Sequence, residues 1–487
     1  MFISKKNIYI IMFSYIALIL IYATINFNGI NYLFDYIKNF FYCSSVNQNN
    51  NNFTIIDVTG KKYNKPFKNI PEEFIHFGNT LYYKAKKGNS VKDIAAKSVI
   101  YTHFYKAYKL KNAIVKYNGL KNDKITNDTL LYIPFSISSI IPDTKNIKKP
   151  NLIYTLGLYY TGSSAGDENF FNKISVFKEV GINTVVFDAK DVEGELNYLS
   201  RVPLAIEYNT HERRTIDNID KTIQLLKKEG IYTIARIAVF SDHLLCKRNP
   251  KFGIRSKRTG GMWRSTKEIW CDPTNKYVQD YNIQLAIELA EKGVDEIQFD
   301  YIRFPTAGDL SDTVFVYHNG KMSKEAVITQ FLKRAYEEIS KRNTRLSIDI
   351  FGVVAWEKEI DIEKTGQRIG ALSAYCDYLS PMLYPSHFDY DFDGLRKPAD
   401  EPYYFINTGL QKTKALANGK PIRPWLQAFG WRVSTANYNE SYILKQISGC
   451  VNGGAYGFLF WNASNSYDYV YKALYKLASV KKTKANQ

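Results

Sequence analysis

The feature that most constrains the fold is a regular alternation of strand-like and helix-like segments after residue 150. Eight short apolar segments are separated by longer stretches in which apolar residues recur at helical spacing. Such alternation indicates a parallel sheet, because parallel strands must be joined by crossover connections. The predicted strands are Tyr154–Tyr160, Asn183–Asp188, Tyr232–Phe240, Glu296–Tyr301, Leu346–Phe351, Tyr378–Tyr384, Arg423–Phe429 and Tyr456–Trp461.

The number of repeats predicts an α/β fold of the (β/α)8 TIM-barrel type over residues 150–475. A doubly wound sheet is the alternative, but no GxGxxG motif or phosphate-binding loop follows a predicted strand. Glycine commonly ends a helix, and it stands before several predicted strands, as at Gly181, Gly230 and Gly293. The amphipathic connecting stretches are Ile216–Glu229, Val278–Lys292, Lys324–Arg342 and Tyr442–Cys450.

The alternation of side chains along each strand predicts which of them point into the barrel. In Glu296–Asp300, Ile297 and Phe299 are expected to face the helices, so that Gln298 and Asp300 point inward. Polar inward residues near the carboxyl ends of the strands mark the face where barrel active sites lie. The same alternation places Asp188, Lys190, Arg236, Asp349, Tyr384, Gln427 and Trp461 inside.

Several of these strand ends form longer motifs that resemble a known family. The clearest is Asp295–Pro305 (DEIQFDYIRFP), and the others include Ala235–Phe240, Ser380–Ser386 and Trp461-Asn462. On these residues the chain is similar to the DUF4015 family over about residues 150–475. The resemblance implies a barrel related to those of carbohydrate-cleaving enzymes, and it implies glycoside hydrolase activity.

Glycoside hydrolysis requires two carboxyl groups, one charged and one protonated. Asp300 is the first expected catalytic residue, because amylase-like barrels place their nucleophile at the end of the fourth strand. Asp349, on the next strand, is the second, since neighbouring carboxyl groups push their pKa values apart. Asp188, Asp191 and Glu357 stay open as alternative acids.

Substrate binding is expected from the other polar and aromatic side chains at these strand ends. Arg236 and Arg303 are expected near Asp300, where they could keep it ionised. No metal and no cofactor is expected. The alternative to a catalytic site is a network of Asp and Arg side chains that only fills the mouth of the barrel. The expected substrate-binding residues are Asp188, Lys190, Arg236, Gln298, Arg303, Tyr384, Gln427 and Trp461.

A small α/β unit is predicted at residues 80–136, before the barrel. Its sequence resembles a LysM module in Tyr83–Ser90, Ile94-Ala95, Asn118–Leu120 and Leu130–Pro134. LysM modules bind glycans that contain N-acetylglucosamine, such as peptidoglycan. The alternative is a βααβ spacer that binds nothing.

The amino-terminal segment predicts the compartment. Lys5 and Lys6 precede an uncharged apolar run, Ile8–Ile25, which is long enough to span a membrane. Positive charge on its amino-terminal side predicts a signal anchor at residues 1–30 with the rest of the chain extracytoplasmic. A cleaved signal peptide, which would make the protein secreted, is the alternative. Residues 31–79 are interpreted as a linker and residues 476–487 as a basic tail.

The net charge and the cysteines restrict which partners and which cysteine chemistry are expected. The net charge of +18 admits an anionic wall polymer, lipid or nucleic acid, but no nucleic-acid-binding motif is present. The charge does not choose among these partners. The resemblances to DUF4015 and to LysM modules imply a polysaccharide or peptidoglycan-type glycan, and a catalytically inactive, membrane-anchored wall-binding protein is the alternative function. The five cysteines include no CxxC pair, which argues against a zinc ribbon. Outside the cytoplasm, Cys246 and Cys271 are expected to form a disulfide.

Overall fold

The computed structural model describes residues 71–77, 80–102, 104–134, 149–265, 268–318, 320–434 and 437–485. The chain divides into two compact units, residues 1–79 and 80–487. In the first unit the described part contains strand β1 (Phe74–Phe77). The predicted anchor at residues 1–30 and most of the predicted linker lie outside the described residues. Within the described ranges, every helix is too short or too polar to cross a membrane.

The second unit begins with a small module whose elements follow the order βααβ. It consists of strand β2 (Thr80–Ala85), helices α1 (Val91–Ser98) and α2 (Ala107–Tyr117), and strand β3 (Thr129–Ile133). Strands β2 and β3 pair antiparallel. Helix α1 begins where the side chain of Ser90 accepts the backbone N–H of Lys92, as a serine N-cap does. The order of elements is the predicted one, and its relation to LysM modules stays a prediction.

The remainder of the unit is built around a closed barrel of eight parallel strands, in the order β4-β5-β6-β8-β10-β11-β12-β13. The TIM-barrel prediction is therefore confirmed, and a doubly wound open sheet is excluded. Strands β7 and β9 pair with each other in a separate two-stranded sheet. The strands are β4 (Thr155–Tyr160), β5 (Thr184–Lys190), β6 (Tyr232–Ala238), β7 (Arg255–Ser256), β8 (Glu296–Asp300), β9 (Thr313–Val314), β10 (Arg345–Phe351), β11 (Tyr378–Met382), β12 (Trp425–Gln427) and β13 (Gly457–Trp461).

Helices surround the barrel, and their ends follow ordinary capping chemistry. Asn275 and Ser323 cap the helices Lys276–Glu291 and Lys324–Ser340 by accepting backbone N–H groups, and Gly181 ends the helix Ile174–Val180 at φ 80°. The helices are α3 (Gly162–Ala165), α4 (Ile174–Val180), α5 (Pro203–Glu207), α6 (Ile219–Lys228), α7 (His243–Arg248), α8 (Lys276–Glu291), α9 (Lys324–Ser340), α10 (Glu359–Thr365), α11 (Ile369–Ser373), α12 (Pro402–Leu416), α13 (Glu440–Gly453) and α14 (Asp468–Ala485).

The two faces of each strand enter different environments. The outward side chains join the apolar layer between strands and helices, where Phe299 stacks on Phe331 of α9 at 5.6 Å between ring centroids. At the amino-terminal end of the barrel, Glu296 forms a fully buried ion pair with Arg423 and accepts a hydrogen bond from the Tyr232 hydroxyl at 3.1 Å. Buried charges are costly unless they are paired, and here Glu296 and Arg423 pair with each other at the end of the barrel opposite the carboxyl ends of the strands.

Candidate active site

A cavity of about 500 Å3 opens at the carboxyl ends of the barrel strands. Its wall includes the last residues of four strands, which is the face where barrel enzymes carry their chemistry. Five of the expected site residues line it: Arg236, Asp300, Arg303, Tyr384 and Trp461. The other five, which are Asp188, Lys190, Gln298, Asp349 and Gln427, do not belong to its wall.

Arg236 connects two of the expected carboxyl groups. Its Nε and Nη2 donate to Oδ2 of Asp300 at 3.1 and 2.6 Å, and its Nη1 donates to Oδ1 of Asp188 at 2.5 Å. The backbone N–H of Tyr301 donates to the other oxygen of Asp300 at 2.6 Å, and the hydroxyl of Tyr159 donates to Asp188 at 2.5 Å. Charge-assisted bonds of this kind are strong, so the carboxyl group of Asp300 is held in one orientation at the cavity wall.

Asp349 lies behind the wall in a different environment. It is fully buried, and its Oδ1 accepts the indole N–H of Trp425 at 2.7 Å. In the described part of the chain, its Oδ2 has no hydrogen-bond partner. Burial first, and then the charge of Asp300, raise the pKa of Asp349 well above its usual range. The site therefore combines a carboxyl group paired with a guanidinium and a second, buried one whose pKa is raised.

Lys190 lies outside the cleft, contrary to the sequence prediction. The pairing of β5 with β6 shifts between Asp188 and Lys190, so Lys190 stands opposite Ile237, a residue of the outer apolar layer. Its ammonium group is fully buried against Asp242 at 2.7 Å and donates to the carbonyl of Ala238 at 2.7 Å. A bulge reverses the alternation that simple strand periodicity assumes.

The two expected glutamines support the cleft from beneath or from the side. Gln298 is buried inside the barrel, where its Nε2 donates to the Ser380 hydroxyl at 3.4 Å. Gln427 accepts the backbone N–H of Ser386 at 3.1 Å and donates to the carbonyl of Phe429 at 2.8 Å. Their contacts hold strand ends and loops together instead of facing the cavity.

The alternative acids also lie off the wall. Asp191 accepts the backbone N–H groups of Glu193 and Glu195 at 3.0 Å each, and burial together with the charge of Asp188 raises its pKa to about 6. Glu357 is exposed and adopts φ 57° at the end of a short helical turn. Neither carboxyl group lines the cavity.

Sequence reasoning missed several residues of the wall. Asp361 and Asp389 follow the strands β10 and β11 in segments where strand alternation assigns no direction. His387 lies in the same loop as Asp389. Trp425, in contrast, shares the inward phase of Gln427 within a predicted strand, so the same alternation could have found it.

Aromatic rings form one side of the cavity. Trp461 stacks on Tyr159 with ring centroids 6.0 Å apart, and it lies 6.0 Å from Tyr384 and 5.3 Å from Phe429. Trp431, just outside the wall, is 53% exposed. Flat apolar rings beside fixed polar groups are suited to stacking against the faces of sugar rings.

The expected disulfide is a pair of neighbouring thiols in the structure. Cys246 and Cys271 are both buried and free, and their sulfur atoms are 3.1 Å apart. The formation of a disulfide between Cys246 and Cys271 stays a prediction.

Comparison with known proteins gives one family and several solved structures. A family model, DUF4015, described as "Putative glycosyl hydrolase domain", matches residues 157–467, which is well over half of the chain. A hypothetical protein from Ruminiclostridium thermocellum ATCC 27405 is 33% identical over 39% of this chain and 96% of its own, with a TM-score of 0.36. No curated protein is similar enough to count as a relative.

Two other solved structures are more distant in sequence. The PgaB (BpsB) glycoside hydrolase domain from Bordetella bronchiseptica is 12% identical over 66% of this chain and 98% of its own, with a TM-score of 0.49. The spore cortex-lytic enzyme SleL of Bacillus megaterium QM B1551 is 11% identical over 81% of this chain and 85% of its own, with a TM-score of 0.41.

Proposed function

Because the chain belongs to the DUF4015 glycosyl hydrolase domain family, we propose that it cleaves O-glycosidic bonds in an extracellular or cell-wall polysaccharide. The observation that carries the proposal is one carboxyl group on the cavity wall with a second one buried behind it. Asp300 is held on the wall by Arg236, and Asp349 lies behind it with a raised pKa. Two carboxyl groups in opposite protonation states are the requirement of glycoside hydrolysis.

In the proposed mechanism, Asp300 acts on the anomeric carbon of the bound sugar, where positive charge develops in the transition state. Asp349 donates its proton to the glycosidic oxygen as the bond to the anomeric carbon breaks. The oxygen of a water molecule then bonds to the anomeric carbon, and a proton of that water returns to Asp349. Tyr384 and Trp461 contact the sugar rings. The proposal requires the departing oxygen to reach the carboxyl group behind the wall, and Asp361 and Asp389 are the alternative donors on the wall itself.

The place of action is part of the same proposal. We place the barrel outside the cytoplasm, tethered through residues 1–30, or secreted if that segment is cleaved. The module at residues 80–136 binds the same glycan as a LysM-like unit and keeps the barrel near its substrate.

The test is the release of new reducing ends from a panel of wall and extracellular polysaccharides. We expect Asp300→Asn to lower turnover by about 10²-fold or more, because a lost nucleophile or acid–base group costs at least that much. Asp349→Asn should have a similar effect, whereas Glu357→Gln, outside the cavity, should have none. Each variant is compared by circular dichroism to ensure that the fold persists.

Other outcomes contradict parts of the proposal. Full activity of Asp300→Asn would remove the central assignment. If Asp349→Asn stays active while Asp361→Asn or Asp389→Asn does not, the proton donor is on the wall. Binding of a glycan without cleavage by the wild type would support the inactive wall-binding protein instead.

A further inference from the structure

Arg303 places a fixed guanidinium on the wall of the cavity. Its central carbon lies 4.9 Å from the ring centroid of Trp270, 4.9 Å from that of Phe351 and 5.3 Å from that of Tyr301. Its Nη1 donates to the carbonyl of Phe304 at 3.2 Å. Three rings and a backbone bond therefore hold this charged group in place before any ligand arrives.

The charge of Arg303 is not neutralised by an ion pair among the described residues, unlike the charges of Arg236 and Arg423. Arg236 bonds to two carboxylates and Arg423 to the carboxylate of Glu296. Among the described residues, no carboxylate oxygen lies within 4.0 Å of a nitrogen of Arg303. Burial lowers its pKa, although the carboxylates of Asp300 and of the exposed Glu268 favour the charged form at longer range. Arg303 is partly buried, and a cation withdrawn from water without a partner costs free energy that an anionic ligand would recover.

The rest of the wall does not supply the missing anion. Lys364 also lines the cavity, and Asp361, one turn earlier on α10, can offset its charge. Asp300 is already engaged by Arg236. Asp389 is exposed at the rim and its charge is hydrated. The hydrogen bonds of Arg303 within the described chain use Nη1 alone, so Nε and Nη2 are available for a ligand.

We propose that Arg303 binds a carboxylate carried by a sugar at the cleavage site, so that the substrate is an acidic polysaccharide. This rests on the proposed hydrolase function and names its substrate class. A guanidinium binds a carboxylate through two parallel N–H donors, and this charge-assisted pairing is stronger than the neutral hydrogen bonds that sugar hydroxyl groups offer. The carboxylate can belong to a uronic acid or to the lactyl ether of a muramic acid.

The experiment compares each acidic glycan with its own carboxyl-reduced form, in which carboxylates have become primary alcohols. Uronic acid polymers and muramic-acid-containing glycan strands form separate arms, so that the source of the carboxylate is identified. We expect the wild type to have at least a tenfold higher kcat/KM on the acidic form. Arg303→Gln should reduce this ratio to about one, and Arg303→Lys should retain part of it. Arg213→Gln, on an 82% exposed side chain, is the matched control and should leave the ratio unchanged.

The outcomes separate the inference from the function on which it rests. Equal cleavage of the acidic and reduced forms by the wild type overturns the inference and leaves the hydrolase proposal intact, even if Arg303→Gln fails to fold. If no glycan is cleaved, the hydrolase proposal fails, and titration of the wild type with acidic and reduced oligosaccharides decides the carboxylate site by itself. If folded Arg303→Gln keeps the wild-type preference for the acidic glycan over its carboxyl-reduced form, the proposed role of Arg303 is also overturned.

Discussion

At the scale of single residues, the charge arrangement of the cavity depends on Arg236. Its guanidinium joins Asp300 and Asp188, so two buried carboxyl groups share one cation. Asp349 is left without a cation of its own, and burial together with the charge of Asp300 raises its pKa. Asp300 and Asp349 thus differ in their surroundings, because Asp300 forms an ion pair with Arg236 and Asp349 is buried without one.

The raised pKa of Asp349 predicts how stability and activity depend on pH. The folded state keeps a proton that the unfolded chain releases above about pH 4, so the free energy of unfolding should fall as pH rises from about 4 toward the folded pKa. Asp349→Asn retains the bond from Trp425 and removes the titration, so its stability relative to the wild type should increase across this range. Urea denaturation at pH 4 and pH 7 measures the difference.

The same proton governs the proposed chemistry. Wild-type turnover should decline as pH rises through the pKa of Asp349, because the donor is lost. If the free energies of unfolding of Asp349→Asn and the wild type differ by the same amount at pH 4 and at pH 7, Asp349 does not hold an extra proton in the folded state.

The aromatic side of the cavity predicts a binding effect distinct from a catalytic one. Trp461→Ala removes a ring that stacks beside Tyr384, and a stacking contact of about 1–1.5 kcal/mol corresponds to about a tenfold increase in KM. Tyr384→Phe should act in the same direction and less strongly, since the ring is kept. Steady-state kinetics on the cleaved glycan measures both constants. Tyr277→Ala, on an exposed ring of α8, is the control, and a loss confined to kcat in Trp461→Ala would contradict this role.

At the scale of elements, the segment after β6 supports the cavity wall from behind. Trp270 of this segment stacks on Arg303, and the next residue, Cys271, contacts Cys246 of α7. Lys190 reaches the same region and pairs with Asp242, the N-cap residue of α7. The shape of the wall near Arg303 therefore depends on how firmly this segment is held.

The neighbouring thiols predict a disulfide in protein recovered from outside the cytoplasm. Such a bond would close a loop of about 25 residues and add about 3 kcal/mol to the free energy of unfolding. Thiol counting by mass spectrometry, after denaturation without reductant, should find Cys246 and Cys271 protected. Cys376 and Cys450, each buried as a free thiol, serve as internal controls and should alkylate. Alkylation of all four would show that the pair stays reduced.

At the scale of the whole molecule, the small module is attached to the barrel by specific contacts. Asn218, the N-cap of α6, donates to the carbonyls of Val99 and Phe104, and the hydroxyl of Tyr105 donates to the carbonyl of Ala165 at 2.5 Å. These residues lie in one compact unit of the chain. A glycan bound by the module would therefore be held at a fixed position on the barrel.

If residues 1–30 are an anchor, as the sequence predicts, this unit lies outside the cytoplasm. Protease added to intact cells should digest the barrel, because the barrel would be exposed on the outer side of the membrane. A cytoplasmic protein, detected in the same samples, should stay intact and serves as the control for sealed cells. Protection of the barrel under these conditions would contradict the topology.

The local pattern of the sequence was enough to predict the barrel and the position of Asp300. Strand alternation depends on nearest neighbours along the chain, so the inward phase of Asp300 and Arg236 is visible without a structure. The same alternation failed at Lys190, because a bulge is a property of two paired strands and changes the phase of one of them. Strand alternation could not predict that Asp361 and Asp389 line the cavity, because Asp361 lies on helix α10 and Asp389 in a loop.

The amino-acid sequence by itself thus determined the order of strands and helices, the family motifs and the inward phase of the central carboxyl group. Only the tertiary structure decided which groups share a charge, because Arg236, Asp188 and Asp300 come from three different strands. It also decided that Asp349 lies behind the wall and that Arg303 faces the cavity without an ion pair. Burial and charge pairing depend on distances between residues far apart in the chain, and these distances exist only once the barrel has closed.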